Sequence, residues 1–305
     1  MSHYIVKRLQ QSILVILGVS VIVFLIMHLT GDPASLMLPL DTSPEDIAAF
    51  RSAMGFDDPL YAQYFRFLKN AVRGDFGLSL RHNQPALHLV LERLPATIEL
   101  TAAAMLIALV VAIPTGVVAA TRRYSAADYI GTVAGLWGQS MPVFWLGIML
   151  ILLFAVKLPL FPPSGRGGLS HLVLPAVTLG MYSTATIMRL LRSGMVEVLK
   201  QDYIKTARAK GLAGKVVIYK HALKNALIPV ATVVGLQFGA LLGGAVIAES
   251  IFAWPGVGRL AVQAINGRDM PLVQAVVFVM ALTIVLINLL TDIAYTYLDP
   301  RIRYN

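Results

Sequence analysis

Six long apolar runs dominate the chain, at about 12–29, 98–120, 129–156, 172–191, 229–248 and 272–294. Crossing the hydrocarbon of a bilayer takes roughly 20 residues of helix. No water reaches that depth, so every backbone N–H and C=O in such a run must find its partner inside the run, which makes each a helix. A chain with six of them has no surface left to dissolve in water. Its composition agrees: 57% of the residues are hydrophobic and 13% are charged, against about a quarter charged in soluble domains. The expectation is an all-α polytopic membrane protein, a single domain over 1–305 with six transmembrane helices. Pro114 and Pro142 fall inside the second and third runs, where a kink is tolerated if neighbours cover the freed carbonyls.

Charge placement gives an orientation. The net charge of +9 is spread over loop ends rather than along a groove with interleaved aromatics, so nucleic acid is not the expected partner. With the N-terminus inside, the inner segments hold Lys7, Arg8, Arg122, Arg123, nine basic residues from Arg189 to Lys224, Arg301 and Arg303. The two short outer loops hold only Lys157, Arg166, Arg259 and Arg268. Basic residues favour the cytoplasmic side, so both termini are expected there, in a multi-pass membrane protein. Lys7 and Arg8 before an apolar stretch superficially resemble a secretory signal. The stretch is longer than the usual core of one, and Gly31-Asp32-Pro33 replaces a small-residue cleavage site, so a retained first span is expected. Without cysteine, disulfides, thiolate catalysis and Cys-based metal sites are excluded.

The segment 30–97 is expected outside, as a small cap. Ser43-Pro44-Glu45-Asp46 reads as an N-cap with acids in the first turn, starting a helix that runs to about Met54. A second amphipathic helix is expected from Pro59 to Val72, with Tyr61, Tyr64, Phe65 and Leu68 on one face, broken by Gly74-Asp75-Phe76-Gly77.

The loop 192–228 carries the most specific signal. Helix formers run from Met195 to Lys210, Gly211 interrupts, and a second helical stretch follows from Lys215 to Asn225, the pattern of a structured element rather than a tether. Lys205 and Arg208 share a face at three-residue spacing, and Ala207 and Ala209 allow close approach of another surface. A charged helix lying on anionic lipid is the alternative.

The run Asp202-Tyr203-Ile204-Lys205-Thr206-Ala207-Arg208-Ala209-Lys210-Gly211-Leu212, with His221 to Pro229, resembles the loop of the integral-membrane permease subunits of the peptide/nickel class of ABC importers, the dipeptide and oligopeptide permeases. The general importer motif is approximately E-A-A, three residues, G, nine residues, I-x-L-P; here Ala207, Gly211 and Leu223 match it. Lys205, Thr206, His221 and Lys224 depart from it in the way the peptide-permease version does. Gly31-Asp32-Pro33, Gly74-Asp75-Phe76-Gly77, Phe252 to Arg259 and the tail Asp299 to Tyr304 are similar to that family in the same order. The resemblance implies a type I importer fold, a second homologous permease subunit, two cytoplasmic ATPases that bind ATP and magnesium, and an extracytoplasmic solute-binding protein. It also implies a coupling role for Asp202, Tyr203, Lys205, Thr206, Ala207, Arg208, Ala209 and Gly211, on a helix seated in an ATPase. Dipeptides, longer peptides, glutathione and nickel chelates all remain open as cargo.

No cofactor is expected in the chain itself. Gly214-Lys215-Val216 lacks the glycine spacing and the Ser/Thr of a phosphate loop, and no H-E-x-x-H, G-x-S-x-G or carboxylate pair is present. Six scattered histidines suggest no metal site. Gln139, Ser140, Gln237 and Asn288 are candidates to face a wet pathway or to bond between helices. Glu249 is a further pathway candidate, with an ion pair to Arg259 as the structural reading. His28 reads as interfacial. Gly235, Gly239 and Gly243, four residues apart, form a bare ridge suited to packing within the bundle or between subunits. A lone secondary transporter would show two related halves, and none is visible.

Overall fold

A computed structural model describes residues 2–29, 32, 34–35, 38 and 42–298. Helix α1 (Ser2–Leu29) is followed by α2 (Pro44–Ala53), α3 (Leu60–Val72) and the long α4 (Ala86–Thr121). Then come α5 (Ala126–Ser140) and α6 (Val143–Leu150), which passes into the π-helical stretch π1 (Ile151–Lys157). After α7 (Leu169–Val198) stand α8 (Asp202–Ala209), α9 (Gly214–Val216), π2 (Val217–Leu223), α10 (Lys224–Ile251), α11 (Val257–Asn266) and α12 (Met270–Leu298).

Among the described residues, five stretches are long and apolar enough to cross a bilayer: Val6–Ile26, α4, α7, the continuous Gly214–Ile251 stretch and Met270–Ile293. The sixth expected span is different in kind. It is not one kinked helix but α5 and α6 with π1, bent by 107°. Proline lacks an N–H and pushes its predecessor out of the α region; Met141 has ψ 130° and Pro142 caps α6. Gly131, Gly135 and Gly138 weaken the helix ahead of that proline, whereas the ten residues before Pro114 contain no glycine and α4 runs through it. α7 and α10 likewise run through Pro175 and Pro229. The helix expected over 215–225 and the fifth span therefore form one stretch, joined by π2.

The chain divides into two compact units, Met1–Thr97 with Pro255–Leu289, and Ile98–Trp254 with Leu290–Asn305. In the first, Ser43 caps α2 as expected, its hydroxyl accepting from the Asp46 N–H at 3.1 Å. α3 forms at the expected place but with a rotated inner face. Gln63 and Ala71 are buried, while Tyr61 and Phe65 are exposed. A polar residue holds the inside because its amide is fully used: Gln63 Nε2 donates to the carbonyls of Phe56 (2.9 Å) and Asp58 (2.7 Å), and Oε1 meets His28 Nε2 at 3.0 Å. α1 and α3 also meet through the Ser20 and Tyr64 hydroxyls at 2.8 Å. The core of this unit joins Phe76, Leu89, Val90, Val257, Leu260 and Leu272. α11 was not expected, although Val257, Leu260 and Ala264 mark its buried stripe at three- and seven-residue spacing. Asp269 is buried and accepts from the Ser79 hydroxyl and the Leu272 N–H, fixing the turn after Gly77.

In the second unit α7 is the hub. Its buried side chains run from Leu174 through Leu179, Ile187, Met188 and Leu191 to Met195, and α5, α6 and α10 pack on it. Gly180 and Gly116 let α4 and α7 approach closely: a Cβ on Gly180 would stand 2.5 Å from the Ala104 carbonyl oxygen, and one on Gly116 3.1 Å from that of Met188.

Candidate functional site

Three residues past the end of α7 the chain turns into α8, eight residues long. The break at 199–201 sets α8 apart as a short helix near 202–210, as the resemblance implies, although helix formers run from Met195 to Lys210. α8 is two-sided. Ile204 and Ala207 are its buried residues, and the element packed against it is π2 of the same chain, whose own buried residues are Val217 and Ala222. Tyr203, Lys205, Thr206, Arg208 and Ala209 are exposed. Ala207, expected to allow the approach of another surface, is instead buried on a helix that packs against the chain's own π2. Ala209 is the small residue left open. Lys205 Nζ reaches back to the exposed Asp202 carboxylate at 2.8 Å, so the Arg208 charge is the one on this face that Asp202 does not offset.

α8 ends as the sequence predicts. Gly211 has φ +77°, in the left-handed region where glycine meets no Cβ penalty. Its N–H bonds the Arg208 carbonyl at 3.0 Å, and the Leu212 N–H reaches that of Ala207 at 3.3 Å. These are the two bonds of a Schellman cap. The segment 210–216 is exposed throughout.

Just before α8, two arginines of α7 tie it to α5. Arg192 makes a two-pronged ion pair with Asp128, and Arg189 Nη2 donates to Gln139 Oε1. Sequence reasoning used both arginines for orientation alone and did not find Asp128. The signal was available: an acid at the edge of an apolar span requires a partner, and Arg189 and Arg192 share a helix face. The Tyr124 N–H also donates to Asp128.

The pathway candidates differ in their surroundings. Gln139 is engaged by Arg189. Ser140 is exposed at the end of α5 and donates to the Leu136 carbonyl at 2.8 Å. Gln237 on α10 and Asn288 on α12 are each half-buried. Glu249 is fully buried at the end of α10. His28 is held by the Phe24 carbonyl and Gln63.

The glycine ridge is split rather than continuous. Gly235 and Gly239 are buried, and a Cβ on Gly235 would overlap the Thr291 side chain, whereas Gly243 is exposed with nothing within 4 Å. At 3.6 residues per turn, each four-residue step drifts by about 40°, so the third glycine has left the face of the first.

The motif Phe252–Arg259 has a structural role. Trp254 and Phe252 are buried, the Gly165 N–H donates to the Phe252 carbonyl at 2.8 Å, and Arg166 lies over the Trp254 ring at 5.8 Å while pairing with Glu99. Gly31, Pro33 and the tail 299–304 lie outside the described residues.

Comparison with known proteins places this arrangement. The model of the binding-protein-dependent transport system inner membrane component matches residues 112–304, and that of the N-terminal part of such membrane components matches 1–101. The dipeptide transport system permease protein DppB of Alkalihalophilus pseudofirmus is 43% identical over 333 residues, all of both chains. The glutathione transport system permease protein GsiC of Escherichia coli strain K12 is 41% identical over 305 residues, again all of both. Among solved structures, inward-facing conformations of the MetNI methionine ABC transporter share the fold, with TM-score 0.59 at 19% identity over 69% of this chain and 96% of that one. The chain belongs to the family of binding-protein-dependent transport system inner membrane components and is a non-catalytic permease subunit of its peptide class.

Proposed function

We propose that this permease forms half of the solute pathway of an inner-membrane importer and takes its power from a cytoplasmic ATPase through α8. A second, homologous permease completes the pathway, two ATPases bind ATP and magnesium, and a solute-binding protein delivers cargo on the opposite side. Both termini and the loop 192–228 face the cytoplasm, where the basic residues from Arg189 to Lys224 belong. The cargo is short peptides, the chemistry that the names of the dipeptide and glutathione relatives share.

The observation that carries this reading is the two-sidedness of α8. Ile204 and Ala207 anchor it to its own chain, and Tyr203, Thr206, Arg208 and Ala209 are left on an exposed face of mixed chemistry. A helix pinned on one side transmits rigid-body motion received on the other. Through Arg192 and Arg189 the helix that leads into α8 is also tied to α5. The exposed Tyr203 side chain offers an aromatic contact of the kind enriched at protein interfaces.

Ala209→Trp tests this directly, because it adds bulk to the open face without entering the chain's own core. Uptake of a labelled dipeptide into vesicles carrying the complete transporter should fall to background, while membrane insertion is unchanged. Lys215→Cys should be blocked by an impermeant thiol reagent only from the cytoplasmic side, with no native cysteine to confuse the result. Normal uptake by Ala209→Trp overturns the docking of α8, and labelling from outside overturns the orientation. A helix that merely lies on lipid would tolerate the tryptophan.

A further inference from the structure

The first unit contains a cavity of about 310 Å³ between the end of α1, the α2–α3 turn, α3 and the start of α12. None of the residues singled out in the sequence for pathway or coupling lines it. One wall is aromatic: Phe24, Phe67 and Phe76 lie with ring centroids 6.1 and 6.5 Å apart along the series, and Phe56 and Met54 close the far side. Polar groups converge on the same space, and they are not equivalent. The Arg66 guanidinium is committed to the Asp58 carboxylate and the Met54 carbonyl. His28 and Gln63 use each other and backbone carbonyls, and Gln274 is also engaged. Two groups remain. The Asn70 amide makes no hydrogen bond among the described residues, and Asp75 uses only Oδ1, which accepts from the Gly77 N–H at 3.0 Å. The open charge of the cavity is therefore negative, and it is set beside aromatic faces.

We propose that this cavity binds the amino-terminal residue of a short peptide, its α-ammonium held by Asp75 and Asn70 and its apolar side chain against the phenylalanine wall. An ammonium gains a charge-assisted hydrogen bond from the carboxylate and an electrostatic attraction to the ring faces, while Asn70 supplies an acceptor oxygen. A carboxylate ligand finds no free cation, because Arg66 is neutralised in place by Asp58. The volume lies at the low end of the roughly 300–1,000 Å³ typical of ligand sites, which suits one residue and its amine rather than an extended chain. This rests on the reading of the protein as a peptide importer subunit, with 30–97 on the side where cargo arrives; the cavity is then a receiving site.

The test uses the purified full-length chain in lipid nanodiscs and calorimetric titration with phenylalanyl-alanine and its N-acetylated form. The free-amine dipeptide should bind saturably, and acetylation should weaken binding by at least about tenfold, the size of one hydrogen bond to a charged group. Asp75→Asn keeps an acceptor for the Gly77 N–H, so the turn survives, and it should produce a loss of the same size. Phe67→Ala should weaken both ligands, the free-amine dipeptide at least as much as the acetylated one. Equal binding of the two dipeptides, unchanged affinity in Asp75→Asn at an unchanged melting temperature, or no saturable binding overturns the proposal. Dipeptide uptake by the complete transporter separates the two readings. If uptake depends on the exposed face of α8 while the binding results fail, the receiving site falls and the importer reading stands. If no peptide is taken up, the peptide-cargo reading itself falls.

Discussion

Arg192 grips Asp128 with both prongs of its guanidinium, Nε to Oδ1 at 2.5 Å and Nη2 to Oδ2 at 2.7 Å, and so fastens α7 to the first turn of α5. The carboxylate is nearly sealed, at 4% exposed, while the arginine keeps 28% of its side-chain surface. Such a fork fits a carboxylate in a way lysine does not. Asp128 also accepts from the Tyr124 N–H at 3.0 Å, which stabilises the left-handed Tyr124 at the entrance to α5.

Removing either partner leaves the other charge stranded. Fully buried pairs cost about 3–5 kcal/mol when broken; with Arg192 partly exposed, Asp128→Ala should cost about 1–3 kcal/mol. The charge exchange Asp128→Arg with Arg192→Asp should recover part of that loss, and Arg189→Gln, which meets only the neutral Gln139, should cost less. Thermal unfolding of the purified subunit measures all of these. An additive double exchange would show that the pair contributes no coupling energy.

Glycine positions in the second unit give a graded series. Gly180→Ala drives a methyl group to 2.5 Å from the Ala104 carbonyl oxygen, a backbone atom that cannot rotate away, so a loss of about 1–3 kcal/mol is expected. Gly235→Ala meets the Thr291 side chain, which has rotamers to change, and should cost less. Gly243→Ala meets nothing within 4 Å and should match or slightly exceed the native melting temperature, by alanine's better helix propensity.

What the sequence made legible follows the physics of each signal. Length and apolarity mark spans at any depth, so five continuous crossings, the Ser43 cap and the Gly211 turn stand where they were expected. Pattern alone does not say which proline breaks a helix: Pro114, Pro175 and Pro229 are absorbed, and Pro142, behind three glycines, is not. Nor does it say whether a small residue meets its own chain or another. Ala207 and Ala209 look alike in sequence, but only the first is buried. Amphipathic spacing located α3 yet misplaced its inner face, because Gln63 is satisfied by carbonyls that only the fold brings to it. The Arg192–Asp128 pair joins residues 64 apart, which no local pattern connects.

Gly211 separates backbone effects from contact effects in α8. Its Cβ position is open, with nothing within 4 Å, so a side chain there clashes with no neighbour. What a substitution loses is the left-handed turn at φ +77°, worth roughly 1–2 kcal/mol for a residue with a Cβ and less for asparagine. Gly211→Val should therefore open the Schellman cap, release the Leu212 N–H from Ala207, and loosen α8 from π2 with little change in the melting of the spans. Dipeptide uptake should drop sharply in Gly211→Val and much less in Gly211→Asn at matched membrane levels. Ala207→Trp is a poorer probe, since Ala207 is 7% exposed and the indole would be forced into the chain's own packing. Equal uptake by the valine and asparagine variants would mean that the left-handed turn is not what holds α8 in its working position.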